Sequence, residues 1–228
     1  MNHHKNKVRI GAVANSLGVL KDKVVFVGGA TVSLYAEKPV GEIRPTDDVD
    51  VIVEILNYAE RVNIEEQLRA IGFKDVADSN IICRFQIDGI IVDIMPTNDP
   101  SIGFENIWYP DGFKQAVDFV IDQWCTVKIL SAPYFIATKM EAFKSRGKGN
   151  GRTSHDFEDI IFVLESRKSI WDEMKNADQP LKDYLVSEYK FLLQSPHIHE
   201  WIGCHVERVS YPSTYFILEE LKKFVDNK

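Results

Sequence analysis

Residues 24–27, VVFV, form a short apolar run that ends at two adjacent glycines, Gly28 and Gly29. Some twenty residues later Asp47, Asp48 and Asp50 stand at the mouth of a second apolar run. A short apolar run bounded by glycine reads as a buried strand. In the second run Val49, Val51, Val53 and Ile55 alternate with Asp48, Asp50, Ile52 and Glu54, the period of two that marks a strand. Side chains two apart on a strand share a face. Asp48 and Asp50 therefore project side by side, away from the valines, with Asp47 opposite. Two carboxylates that close repel each other unless a cation lies among them. The cation is a metal or an arginine, or else the strand end faces water.

A third acid sharpens the question. Residues 81–87 and 90–95 flank Asp88-Gly89, a dipeptide that favours a type I′ turn, and so read as a β-hairpin. Asp93 lies in its second arm, IIVDIMP, where an aspartate in a sheet interior is unfavourable. A metal site shared with Asp48 and Asp50 gives it a reason to be there. Oxygen-only ligands suit Mg²⁺ or Mn²⁺. Gly28 and Gly29 lie between a strand and an expected helix over ATVSLYAE, a place where backbone N–H groups can approach phosphate oxygens. No GK[ST] follows, and the pair is not GxGxxG, so neither a Walker A loop nor a dinucleotide fingerprint is present.

Elsewhere, residues 5–20 read as a helix with Val8, Ala12, Leu17 and Leu20 as its apolar stripe, and 57–70 as a helix closed by Gly72. Residues 125–130 read as a strand. From Ser131 the pattern turns helical. One helix starts at Ser131 and Pro133 and runs to about Lys144, and GKGNG, 147–151, is a loop. Thr153 or Ser154 caps a helix whose core face is Phe157, Ile160, Ile161 and Leu164. Two further stripes follow: Leu181, Tyr184, Leu185, Leu192 and Phe216, Leu218, Leu221, Phe224. The fold class is α+β, a mixed sheet with flanking helices over 1–130 followed by a helical bundle over 131–228.

Composition sets outer bounds. A net charge of −7 over 228 residues argues against holding nucleic acid by bulk charge. The local exception is Lys139, Lys144, Arg146, Lys148 and Arg152, set against Glu141. No apolar stretch reaches the roughly 20 residues a membrane helix needs. The opening MNHHKNKVRI has no apolar signal core behind it, so the expected location is cytoplasmic. Cys83, Cys125 and Cys204 lack CxxC spacing and read as free thiols. His197, His199, Cys204 and His205 form no tidy ligand set and read as surface or core residues. The tryptophans and Tyr109 read as core.

The order VGG at 27–29, DVDV at 48–51 and VDI at 92–94 resembles the DNA polymerase β nucleotidyltransferase superfamily. RPTDDVDVIV, VDIMP, SAPYFIATKMEAFKSRGKG and SHDFEDI further resemble the AbiEii/AbiGii-type nucleotidyltransferase toxins, over about residues 24–165. The resemblance implies a polymerase β-like fold and transfer of a nucleoside monophosphate from an NTP to an acceptor, with release of pyrophosphate. It implies that Asp48, Asp50 and Asp93 hold divalent ions, and that Gly28, Gly29 and Thr46 contact phosphates. Lys139 matches the lysine that reaches the nucleotide, in a helical domain that adds it and acidic residues to the cleft. Asp156 or Asp159 orients Lys139 or contacts the nucleotide, and Asp156 also fits a capping role after Thr153. The implied acceptor is RNA, with the tRNA 3′ end foremost, and the implied partner is an antitoxin. An aminoglycoside-like small molecule, a protein hydroxyl, or binding without catalysis are the alternatives. His155 stands where those toxins have a basic residue.

Overall fold

Counting outward from Asp88-Gly89 sets the register of half the sheet. In the computed structural model, which describes residues 2–37, 44, 46–55, 57–76, 83–98, 106–147, 149–206 and 213–226, Asp88 and Gly89 take φ of 47° and 78°. Positive φ at both central residues is what a type I′ hairpin requires. The turn joins β4 (Arg84–Ile87) to β5 (Ile90–Pro96) and pairs Ile87 with Ile90 and Arg84 with Asp93. Ile81 and Ile82, expected in the first arm, lie outside the described residues.

The other strands are β1 (Val24–Val27), β2 (Asp48–Val53), β3 (Lys74–Asp75), β6 (Val117–Asp122) and β7 (Cys125–Ile129). They form one mixed seven-stranded sheet in the order β3-β4-β5-β2-β1-β7-β6. Strand β2 runs antiparallel to β1 and parallel to β5, and β1 runs parallel to β7. The central strand β1 is buried throughout, and so is β2 from Val51 to Val53. Ile52, on the same face as the acids, is fully buried, so that face turns apolar just past Asp50. Ile55, expected in β2, falls beyond its end. Strand β6 was not foreseen, since it is an edge strand whose residues are mostly exposed and whose turn carries no glycine.

Among the described residues of this part of the chain the α-helices are α1 (Asn2–Leu17), α2 (Tyr58–Ala70) and α3 (Tyr109–Lys114). Helix α1 contacts β2, β5 and β7. Its buried stripe is Ile10, Val13, Ala14 and Leu17, and burying each large side chain contributes about 2 kcal/mol. Val8 is exposed, which corrects the expected stripe: two residues from Ile10 is about 200° around the helix. Asn57 caps α2 by accepting from the Glu60 N–H. The segment after Gly28, expected as a helix, folds as a 3-10 helix, Gly29–Tyr35.

The second part is helical: α4 (Ala132–Arg146), α5 (His155–Ser166), α6 (Ile170–Lys175), α7 (Gln179–Leu193), α8 (Ile198–His205) and α9 (Thr214–Asp226). Helix α4 is buried on every side from Ala132 to Met140, as a central helix must be. It packs on α5, α6 and α7. Phe157, Ile160, Ile161 and Leu164 of α5 all face the core. In α9 the buried positions are Ile217, Leu221 and Phe224, with Phe216 and Leu218 at the margin. The chain divides into two compact units: Met1–Leu34 with Gly41–Ser131, and Ala132–Lys228 with the described residues of Tyr35–Val40. No described helix is long and apolar enough to cross a membrane.

Candidate functional site

The three acids of the sheet unit come together through register alone. Asp50 of β2 lies opposite Asp93 of β5 and opposite Val27 of β1, with Asp48 two residues earlier on the same face. One carboxylate oxygen from each of Asp48, Asp50 and Asp93 lies within 4.8 Å of the others. Asp93 is buried, while Asp48 and Asp50 are half-buried. Gly28 follows directly on Val27 with φ of 73°. A Cβ there would lie 1.9 Å from Asp50 Oδ2, so only glycine leaves room for this carboxylate. The glycine, the strand end and the acid thus form one packed unit.

An arginine that the sequence reading passed over completes the group. Arg84 of β4 is the cross-strand partner of Asp93. Its Nε and Nη2 each donate to one oxygen of Asp93 at 2.7 Å, and Nη2 also reaches Asp48 Oδ2 at 3.2 Å. The fork on Asp93 and the nearby charges of Asp48 and Asp50 hold the guanidinium above its usual pKa. Asp93 therefore has a neutralising partner without a metal, and the arginine is one of the cations the carboxylate pattern left open. The signal was available, because counting back from Asp88-Gly89 sets Arg84 against Asp93.

These acids fit a hard divalent cation. The donors are oxygens only, they lie close enough to share an ion, and Asp48 and Asp93 share a single guanidinium charge. A cluster of this kind can hold a metal ion, and Arg84 stands within it.

The helical unit holds a second ionic group. Lys139, on buried α4, is itself buried, with Nζ 3.2 Å from Asp156 Oδ1 and 2.6 Å from Asp159 Oδ2. Arg146 donates from Nε and Nη2 to the two oxygens of Asp156 at 2.7 and 2.8 Å. Burial pushes the Asp156 carboxyl up, but the Arg146 hydrogen bonds and the Lys139 charge outweigh it and hold it below the usual range. Lys139 also lies over the Phe135 ring. Both acids thus bind Lys139. Ser154, not Thr153, caps α5 by accepting from the Phe157 N–H. Asp156 is committed to Lys139 and Arg146 rather than to a capping box.

Other expected contacts are engaged locally. The Thr46 hydroxyl donates to Asn6 of α1, and the Thr46 carbonyl accepts from Arg9. The Gly28 carbonyl accepts from the Thr31 N–H and hydroxyl, closing the 3-10 turn that begins at Gly29. The basic run is not a free patch. Lys144 pairs with Glu141 and Glu188, Arg152 with Glu200, and Arg146 and Lys139 with Asp156. Lys148 lies outside the described residues. His205 Nε2 donates to the Gly151 carbonyl at 2.7 Å, a role inside the helical packing.

Compared with known proteins, the chain matches no family model and no curated protein.

Proposed function

We propose that the chain is a metal-dependent nucleotidyltransferase of polymerase β-like fold, as its motifs suggest. The observation that carries the reading is the convergence of Asp48, Asp50 and Asp93 beside a positive-φ glycine that Asp50 itself requires. Asp48, Asp50 and Asp93 would hold Mg²⁺ or Mn²⁺, which when bound would supply the positive charge that acidifies an acceptor hydroxyl and neutralises a triphosphate. The chain's own part is positioning. The β2–β5 register sets Asp50 against Asp93, and Gly28 keeps the strand end open beside them. Lys139 is the residue we assign to the nucleotide phosphates, oriented by Asp156 and Asp159. In the reaction, the acceptor oxygen bonds to the α-phosphorus as the bond to pyrophosphate breaks.

The proposed acceptor is RNA, with the tRNA 3′ end foremost, and the proposed role is a toxin restrained by an antitoxin. Support for both is the motif resemblance. Lys139, Lys144, Arg146 and Arg152 are engaged by carboxylates, so RNA binding through them would show a shallow salt dependence.

One observation favours a second reading, nucleotide or partner binding without transfer. Arg84 already neutralises Asp93 and reaches Asp48. The two readings separate on chemistry. The protein is incubated with each α-labelled NTP, Mg²⁺ and total RNA, beside Asp48→Ala and Lys139→Ala. Label on RNA with the wild type, lost in both variants, is the expected result. Label on a protein or small molecule moves the acceptor and keeps the chemistry. No transfer to any acceptor, with NTP binding retained, favours the second reading.

A further inference from the structure

Arg84 does more than accompany the acids. Its Nη2 lies within hydrogen-bond distance of Asp93 Oδ2 and Asp48 Oδ2 at once, at 2.7 and 3.2 Å. Nη2 thus already occupies a lone pair of each oxygen. A divalent ion of the Mg²⁺ class bound through the same two oxygens would need to lie about 2.1 Å from each. Such an ion would compete with the guanidinium nitrogen for them. Charge acts in the same direction, because a fixed guanidinium beside the ligands repels an incoming cation.

We propose that Arg84 is a displaceable internal cation, which holds Asp48 and Asp93 together in the metal-free protein and must release Asp48 when a divalent ion enters. This rests on the reading of Asp48, Asp50 and Asp93 as a metal site and adds a control to it. Several features of Arg84 suit the role. Its side chain is a quarter exposed, so the guanidinium has a route toward solvent. Its hold on the two acids is unequal: a two-nitrogen fork on Asp93 against one longer bond to Asp48. The Asp48 contact is the weaker one, and when Nη2 gives way to an ion the Nε bond to Asp93 Oδ1 is the contact that can stay and keep Asp93 aimed. The consequence is a site that stays assembled without metal and holds free ions weakly. It would favour an ion arriving with a triphosphate, whose charge adds to that of the acids.

The test is Mn²⁺ titration followed by electron paramagnetic resonance, with no nucleotide present. It compares the full-length wild type with Arg84→Met, Arg84→Lys and Asp48→Ala. Thermal unfolding is measured with and without Mn²⁺. Arg84→Met should bind Mn²⁺ about tenfold or more tightly than the wild type, and gain more in melting temperature from it. Arg84→Lys, which keeps the charge but cannot form the fork and the bridge together, should fall between them. Equal or weaker binding by Arg84→Met overturns the proposal and makes Arg84 a residue that shapes the site for metal. If Arg84→Met folds only with Mn²⁺, the proposal stands. If it folds in neither condition, Arg84→Lys decides: tighter binding supports the proposal, and unchanged or weaker binding overturns it. Failure of wild type and both Arg84 variants to bind above the Asp48→Ala level removes the metal reading itself, and this inference with it.

Discussion

The two ionic groups of this protein balance their charges differently. In the sheet unit Asp48 and Asp93 share one cation, Arg84. In the helical unit Asp156 alone holds two, Lys139 and Arg146, and Lys139 also holds Asp159. The helical group is close to self-neutral, and its Lys139, Asp156 and Asp159 are deeply buried with Arg146 reaching in from the surface, the setting in which the buried pair is costly to break. In the sheet group Asp48 and Asp50 are half-buried, and Asp48 and Asp93 draw on one guanidinium. A group of the first kind stabilises its own fold, while a group of the second kind is ready to accept a cation. The contrast concerns metal binding: the helical group already holds its own cations, and Lys139, the residue assigned to the phosphates, is also one of the charges that anchor its unit.

The largest stability effect should therefore come from the helical unit. Lys139→Met leaves Asp159 and Asp156 buried with less compensation and should cost about 3–5 kcal/mol of stability. Thermal or urea unfolding with and without Mn²⁺ checks this, and the loss should be the same in both. A loss below about 1 kcal/mol would break the comparison. Gly28→Ala comes next. The positive φ costs about 1–3 kcal/mol for a residue with a side chain, and the new Cβ would displace Asp50. This variant should lose stability and Mn²⁺ binding together, whereas Lys139→Met loses only the first. Asp48→Asn is milder still for the fold. Asp48 is partly exposed and keeps a polar atom near Arg84, so metal-free stability should change by about 1 kcal/mol or less. Its thermal shift with Mn²⁺ should nevertheless disappear. A large loss of metal-free stability in Asp48→Asn would mean that the sheet acids are structural after all.

The sequence made parts of this contrast legible and concealed others for definite reasons. Strand period placed Asp48 and Asp50 on one face, and the Asp-Gly turn announced the hairpin that carries Asp93. Helix period put Lys139 and Arg146 near one face, seven residues apart, and both reach Asp156. Arg84 was missed although the hairpin register sets it opposite Asp93. Ser154 and Thr153 could not be separated as caps, since both are good acceptors and only backbone geometry chooses. The basic run from 139 to 152 looked like a patch because its partners Asp156, Glu188 and Glu200 come later in the chain. Pairing across tens of residues is a property of packing, which local pattern does not encode. The α1 stripe failed for a simpler reason, a count that strayed from 3.6 residues per turn.

The smallest expected effect is also the most specific to the helical group. Arg146 and Lys139 hold the Asp156 carboxyl below its usual range against the opposing push of burial. In the unfolded chain the same carboxyl titrates near its ordinary value, about 3.9. A lowered folded-state pKa means that the unfolded state binds the proton first. The stability Asp156 contributes is therefore complete above that ordinary value and drains away as pH falls through the lower, folded one. Melting temperature followed downward from neutral pH should show this as a loss beginning near the ordinary carboxylate range. Asp156→Asn should start from a lower melting temperature at neutral pH, because its charge-assisted bonds to Arg146 are weakened. Its acid slope should be shallower, because the titrating group is gone. If the two proteins lose stability in parallel as the pH falls, the acid sensitivity lies elsewhere, and the group around Lys139 is not the ionic anchor of its unit.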